Sequence, residues 1–139
     1  MARIIAAKVL LLVDDEVLLL KNSQTHPRRA GQSDIPGGII EANETTLDGL
    51  LREVTEETSI ILDSKSLKLL YTSTNYLPSI FKSYIHNVYG VRLEKKPAVK
   101  LSWEHESYEW VPIANLVGLQ KNYQHAVDYI LDHQLLSEL

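Results

Sequence analysis

The chain contains no cysteine, and methionine and phenylalanine occur once each in its 139 residues. The absence of cysteine excludes disulfide bonds, a thiol nucleophile and a cysteine-ligated zinc site. Long apolar runs are also missing. The longest, Ile4–Val13, has ten residues and is interrupted by Lys8, so it is too short to cross a bilayer. Basic residues (14) are fewer than acidic ones (18), so a net charge of −4 gives no wide basic face for polymeric nucleic acid.

The residues that are present have the composition of an ordinary globular domain, with 45% apolar and 23% charged residues. A chain of this length accommodates one hydrophobic core and not two. We therefore predict a single domain over residues 1–139. The lack of cysteine and of a recognisable targeting signal makes the cytoplasm the expected compartment.

Periodicity divides the chain into strands, a helix, further strands and a last helix. A hairpin turn is expected at Asp14–Glu16, and a helix over Thr45–Thr58 has Leu47, Leu50, Leu51 and Val54 on one stripe. A last helix capped by Asn122 follows, with an apolar face that includes Tyr123 and Ile130. This order predicts an α/β fold with a mixed sheet between helices. The predicted strands are Ile4–Val13, Val17–Leu20, Leu67–Thr74, Phe81–Val91 and Tyr108–Val111, with Val99–Leu101 as a weaker candidate.

The first helix carries acidic residues where they lower helix stability. At about 100° per residue, Glu53, Glu56 and Glu57 share one arc beside the apolar stripe. Glu53 and Glu57 repel each other at i, i+4, and acids in a last turn oppose the helix dipole. Such an arrangement indicates either a functional site or a solvated acidic face.

The residues before this helix favour the functional alternative. Gly37-Gly38 is a bend that leads to a helix start, where backbone N–H groups and the positive end of the dipole bind anions. Carboxylate oxygens at the other end of the helix suit Mg²⁺ or Mn²⁺, which also bind phosphates. The combination is typical of metal-assisted phosphate chemistry.

The spacing of these residues resembles the Nudix box. The matching segment runs from Gly38 to Ile60 and departs at Ser59, where the family has glycine. Flanking segments add to the resemblance, because Gly31 to Gly38 and Glu104 to Val111 are similar to the approach and the later loop of nucleotide-cleaving members. The matching fixed positions are Gly38, Glu44, Arg52, Glu53, Glu56 and Glu57.

The resemblance implies the Nudix-type α/β/α sandwich and a role for each box residue. Glu53, Glu56 and Glu57 would hold Mg²⁺, with Mn²⁺ as a substitute, and Arg52 would orient Glu53. The general base would be Glu53 or Glu104, with Glu106 as a further candidate. The residues implied in substrate binding are Gly37, Gly38 and Glu44, the last also a candidate for helix capping.

The implied activity is hydrolysis of a phosphoanhydride bond in a nucleoside diphosphate linked to another group, with a nucleoside triphosphate favoured. A dinucleoside polyphosphate hydrolase and a non-hydrolytic nucleotide-binding module are the alternatives. The expected partner is a nucleotide, without a membrane or polymeric nucleic acid, and a homodimer is left open. Ser59 is expected at the C-terminal end of the helix, where the family's glycine tolerates the left-handed conformation. Serine costs about 1–2 kcal/mol there if that conformation is needed, and it affects local stability more than chemistry.

Several side chains outside the box are weaker candidates. Arg28 and Arg29 could reach phosphates, although solvated loop charges explain them as well. Tyr76, Phe81 and Tyr84 could stack on a base, although aromatic residues on strands are more often core. Among the histidines, His105 is expected near the site, and the other four are expected on the surface. Those four are His26, His86, His125 and His133.

Overall fold

The computed structural model describes residues 2–139; Met1, which the predicted domain includes, lies outside the described residues. Seven strands form one mixed sheet, with two α-helices packed on it. Among the described residues, neither helix has the length and apolar character of a bilayer span. The elements are β1 (Ala2–Val13), β2 (Glu16–Asn22), β3 (Ser33–Asp34), β4 (Gly37–Ile39), α1 (Thr46–Thr58), β5 (Lys68–Leu77), β6 (Lys82–Leu93), β7 (His105–Pro112) and α2 (Lys121–Asp132).

The sheet is organised around β1, the long apolar strand at its centre. The strand order is β3-β2-β1-β6-β5, with β4 paired to β1 and β7 paired to β2. The β1–β6 pair is parallel and the others are antiparallel, so the predicted mixed sheet is confirmed. The turn at Asp14-Asp15 closes the expected β1–β2 hairpin.

The two faces of β1 lie in two separate clusters, because successive side chains of a strand point to opposite sides. Leu10 and Leu12 belong to the cluster that contains the apolar face of α2. Val9 and Leu11 belong to the cluster that contains Leu50 of α1. The sheet therefore lies between helices, as the predicted α/β/α sandwich requires.

The helix α1 begins and ends within a residue of its prediction. Thr45 caps its N-terminus by accepting a hydrogen bond from the N–H of Asp48. Leu50 and Val54 are buried, whereas the other two leucines of the predicted stripe are half-buried. At the other end, Ser59 has φ 63° and ψ 12°, so the helix has a left-handed C-cap at the position where the family has glycine.

The weaker strand prediction, Val99–Leu101, is wrong. The segment lies against the C-terminal end of α1, where Lys100 N–H donates to Thr58 O (2.9 Å) and Ser102 N–H to Glu57 O (3.2 Å). Carbonyls in the last turn of a helix have no intrahelical partner, so this segment satisfies them instead of extending the sheet.

Two predicted boundaries are also corrected. Asn122 does not cap α2, because the helix begins at Lys121 and the preceding Gln120 makes no side-chain capping bond. Phe81 precedes β6 and takes a left-handed conformation at the end of the turn Pro78–Ile80. The buried face of α2 is as predicted and includes Tyr123, Ala126, Val127 and Ile130.

Candidate functional site

A cleft of about 680 Å³ opens over β4, β1 and β6, beside the C-terminal end of α1. Its floor includes Gly37 and Gly38 of β4, Lys8 of β1 and His86 of β6. Two strand spacings separate β4 from β6, which gives a floor about 10 Å wide. Other residues that line the cleft are His26, Arg28, Arg29, Asp34, Glu53, Glu56, Glu57, Tyr84, Glu104, His105, Asn122 and Tyr123.

Arg52 connects the box carboxylates behind this cleft. Its guanidinium makes a bidentate contact with Glu44, at 3.0 Å from Nε and 2.6 Å from Nη2. Its Nη1 donates to Glu53 at 3.1 Å and to Glu56 at 3.3 Å. The planar fork of arginine fixes carboxylate orientation in a way that lysine cannot. Arg52 itself does not line the cleft, so it acts on the site through the carboxylates that it holds.

Glu44 also lies outside the cleft, although the resemblance implied a role in substrate binding. Its Oε1 accepts the N–H of Glu41, and together with Arg52 this hydrogen bonding lowers the pKa of Glu44 to about 2. Gly49 leaves room for it, because a Cβ there would be 2.7 Å from Glu44 Oε1. Glu44 therefore braces the helix start and Arg52 instead of contacting the cleft.

Glu53 lies against Gly38 of the glycine bend, which is the Gly37-Gly38 pair at the start of β4. A Cβ on Gly38 would be 2.7 Å from Glu53 Cδ and 2.8 Å from Oε2, so only glycine admits the carboxylate at this distance. Burial raises the pKa of Glu53, Arg52 opposes the shift, and the charges of Glu56 and Glu104 add to it. The carboxylate is thus close to other negative charges and available to a cation.

Glu57 is buried beside the same bend, with 5% of the residue exposed. Its Oε1 accepts the N–H of Gly37 at 2.9 Å. Burial raises the pKa of Glu57 to about 8, although Lys8 and the Gly37 N–H act in the opposite direction. Glu56 differs, because 59% of its side chain is exposed at the mouth of the cleft.

Glu104 is held near these acids by its backbone. The Ser23 N–H donates to Glu104 O at 2.8 Å, and the Glu104 N–H donates to Ser102 Oγ at 3.4 Å. Glu106 does not line the cleft and pairs instead with Lys21 on the surface. Of Glu104 and Glu106, which lies on β7, only Glu104 lines the cleft.

The acidic side chains do not form a closed metal cage by themselves. Within residues 2–139, no three His, Asp or Glu side chains are grouped so that they could hold a metal ion as they stand. Arg52 engages Glu53 and Glu56, and the Gly37 N–H engages Glu57. The hard oxygen donors still fit Mg²⁺, because this ion needs only one or two protein carboxylates besides water and phosphate oxygens.

The cleft contains residues that the sequence did not single out. Lys8 and Asp34 form a buried ion pair at 3.0 Å. His86, expected on the surface, is buried, and burial lowers its pKa. Its Nδ1 lies 3.1 Å from Tyr123 OH and its Nε2 lies 3.3 Å from Asn122 Nδ2. Of these residues, only Lys8 could have been recognised from the sequence, because it is the one charged residue inside an apolar strand.

The weaker candidates divide into two groups. Arg28, Arg29 and Tyr84 line the cleft, as do His26 and the predicted neighbour His105. Burial lowers the pKa of His105 to about 4, so this ring is neutral at physiological pH. Tyr76 and Phe81 do not line the cleft and are 49% and 70% exposed.

Comparison with known proteins identifies the family. The NUDIX domain model matches residues 2–134. Over 65 residues, the chain is 37% identical to an ADP-ribose pyrophosphatase of Methanocaldococcus jannaschii, and the match covers 47% of this chain and 37% of that protein. Over 62 residues, it is 42% identical to the uncharacterised Nudix hydrolase YvcI of Bacillus subtilis, covering 45% of this chain and 36% of that protein.

A solved structure matches at greater length. The crystal structure of a MutT protein from Methanosarcina mazei Go1 superposes with a TM-score of 0.78 at 27% identity, and the match covers 96% of each chain. The matches to the two curated relatives span little more than a third of those proteins. The family model, which covers nearly the whole chain, is decisive: this protein belongs to the Nudix hydrolase family.

Proposed function

We propose that this protein is a Mg²⁺-dependent hydrolase of a phosphoanhydride bond in a nucleoside diphosphate linked to another group. The observation that carries the proposal is the contact of Glu53 and Glu57 with the Gly37-Gly38 bend at the edge of the cleft. It joins carboxylate oxygens for a cation to a backbone that phosphate can approach closely.

Glu53, Glu56 and Glu57 are the residues that would hold Mg²⁺, or Mn²⁺ in its place. When bound, the ion supplies charge neutralisation at the phosphate oxygens. The mutual repulsion of the three carboxylates supports this assignment, because Glu53 raises the pKa of Glu57 and Glu56 raises that of Glu53. Arg52 neutralises only part of this charge.

The attacking water requires a base, and Glu53 and Glu104 are the candidates that line the cleft. The base accepts the proton as the water oxygen bonds to phosphorus, while the bond from phosphorus to the leaving-group oxygen breaks. The hydrogen bond from Arg52 fixes one Glu53 oxygen. Arg28 and Arg29 extend the cleft with positive charge suited to the remaining phosphates.

A nucleoside triphosphate is the favoured substrate. The chain is similar to a MutT protein and to an ADP-ribose pyrophosphatase, so a screen for substrates must include both nucleoside triphosphates and ADP-ribose. The dinucleoside polyphosphate alternative receives less support from the cleft, because only Tyr84 of the three aromatic residues that could stack on a base lines it, whereas Tyr76 lies outside. Retention of all box glutamates argues against the non-hydrolytic alternative.

The test is hydrolysis of nucleoside triphosphates, dinucleoside polyphosphates, ADP-ribose and nucleotide sugars, followed by separating and identifying the cleaved products, with and without Mg²⁺. Glu53→Gln should lower kcat by about 10²- to 10⁴-fold without unfolding the protein. Glu94→Gln is the matched control, because Glu94 is exposed and follows the end of β6 outside the cleft. Undiminished turnover in Glu53→Gln would refute the proposal, and nucleotide binding without product at saturating Mg²⁺ would favour a binding module.

A further inference from the structure

Lys8 is a charged residue in the middle of the central strand, and only 10% of its side chain is exposed. Its Nζ donates to Asp34 Oδ2 at 3.0 Å and to the carbonyl oxygen of Gly37 at 3.0 Å. In the β1–β4 register, Lys8 and Gly37 are directly opposite each other. A buried ammonium group therefore reaches the glycine bend from beneath the cleft.

Both backbone polar groups of Gly37 have side-chain partners. Its N–H donates to Glu57 Oε1 at 2.9 Å, and its carbonyl accepts from Lys8. The adjacent carbonyl, of Pro36, accepts from the N–H of Val9 at 2.9 Å. Gly37 has φ +134°, and a Cβ there would meet the carbonyl oxygen of Ala7 at 2.1 Å. Lys8 and Glu57 thus form hydrogen bonds with the carbonyl and the N–H of Gly37, respectively, and Gly37 has a conformation that only glycine adopts readily.

The charge of Lys8 also interacts with the carboxylates of Asp34 and Glu57. Burial alone would lower the pKa of Lys8, but Asp34 and Glu57 raise it. Asp34 is itself fixed, because its Oδ1 accepts the N–H of Ile35 at 2.8 Å. Lys8 is therefore the buried positive charge that faces both carboxylates, and a buried charge of this kind persists only when it is paired and hydrogen-bonded.

We propose that Lys8 is a positioning residue, which fixes the Gly37 backbone through its carbonyl and so keeps the Gly37 N–H directed at Glu57. Lys8 acts on the site through Gly37 and Glu57. Its effect on turnover rests on the proposed function, whereas its effect on Gly37 does not. Groups that orient a ligand residue typically change activity or metal affinity by about 10- to 100-fold when they are removed.

The first measurement is an NMR signal that needs no activity. Pro36-Gly37 is the only Pro-Gly pair in the sequence, so carbonyl-¹³C proline combined with ¹⁵N glycine labelling selects the single Gly37 amide. Lys8→Met keeps the apolar stem and removes the ammonium group. We expect the Gly37 proton to move upfield in Lys8→Met, in the same direction as in Glu57→Gln. An unmoved Gly37 signal in folded Lys8→Met would overturn the proposal.

A second variant guards against loss of folding, since Lys8→Met leaves Asp34 buried without its partner. Lys8→Met/Asp34→Asn removes both charges and keeps a similar volume. The Gly37 signal should be shifted in this variant as well, because the donor to its carbonyl is absent. A wild-type signal in the folded double variant would contradict the role of Lys8.

The second measurement is a double-mutant cycle on kcat/KM. Lys8→Met should lower kcat/KM by about 10- to 100-fold in the wild-type background and have little further effect in Glu57→Gln. Losses that multiply would indicate a purely structural role and overturn the proposal. If the wild-type protein hydrolyses none of the nucleotides, the proposed function fails, and the NMR signal still decides the role of Lys8.

Discussion

Gly38→Ala is expected to separate activity from stability. Its added Cβ would lie 2.7 Å from Glu53 Cδ, whereas ordinary contact begins at 3.4 Å, so the carboxyl group must retreat by about 0.7 Å (3.4 − 2.7). Arg52 resists this retreat, because it holds Glu53 Oε1 at 3.1 Å. A misplacement of this size at a reacting group costs on the order of 10- to 100-fold in rate.

The fold should tolerate the same change. Gly38 is not among the glycines with positive φ, and the atoms in the way belong to the end of a flexible side chain. Alanine also reduces the conformational entropy of the unfolded chain, which stabilises by about 0.4–1 kcal/mol where the backbone accepts it. We therefore expect a Tm equal to or above that of the wild type, together with the fall in kcat.

Gly118→Ala is the matched control, because Gly118 has φ +84°, no atom near its Cβ position and no part in lining the cleft. It should lower Tm through backbone strain and leave kcat unchanged in the folded protein. Thermal unfolding and Mg²⁺-dependent formation of the cleaved nucleotide products provide the two readouts. Wild-type kcat in Gly38→Ala would show that the position of Glu53 under the bend does not govern the reaction.

Two further predictions concern stability. Ser59 has a left-handed conformation, which is unfavourable for a residue with a Cβ, and its Oγ donates to Lys100 O at 3.1 Å. Glycine and alanine both remove this hydrogen bond, but only alanine keeps the Cβ. The free energy of unfolding of Ser59→Gly should therefore exceed that of Ser59→Ala by about 1–2 kcal/mol. Equal urea midpoints for the two would contradict this. The pKa of Glu57, raised from 4.5 to about 8, implies stability that is complete below pH 4.5 and lost as the pH rises through 8. The free energy of unfolding of the metal-free protein should therefore fall between pH 4.5 and 8, by up to about 1.4 kcal/mol per pH unit. If Glu57→Gln shows the same dependence of this free energy on pH, Glu57 is not its cause.

The sequence predicted what depends on local spacing. The extent of α1 follows from the Thr45 cap and the apolar positions Leu50 and Val54, and these are confirmed. Two of the three acids that share an arc of this helix, Glu53 and Glu57, also meet the glycine bend, because residues close in sequence fix both the helix and its approach.

The features that the sequence did not predict depend on packing between distant segments. His86 lies in the cleft because β1 and β6 pair in parallel, opposite Ala6, and because α2 places Tyr123 over it. No periodicity within either segment encodes that register. The Val99–Leu101 segment has strand-like residues, but the unpaired carbonyls of α1 determine its place.

The attachment of this segment to α1 constrains how the cleft can change shape. The carbonyls of Glu57 and Thr58 hold the chain just before Glu104 through two amide hydrogen bonds. Backbone hydrogen bonds therefore link the segment of Glu104 directly to the end of the helix that carries the other acids, despite their separation along the chain. The loop between β2 and β3, which carries Arg28 and Arg29, is attached at the same place, because the N–H of Ser23 at its start donates to Glu104 O at 2.8 Å.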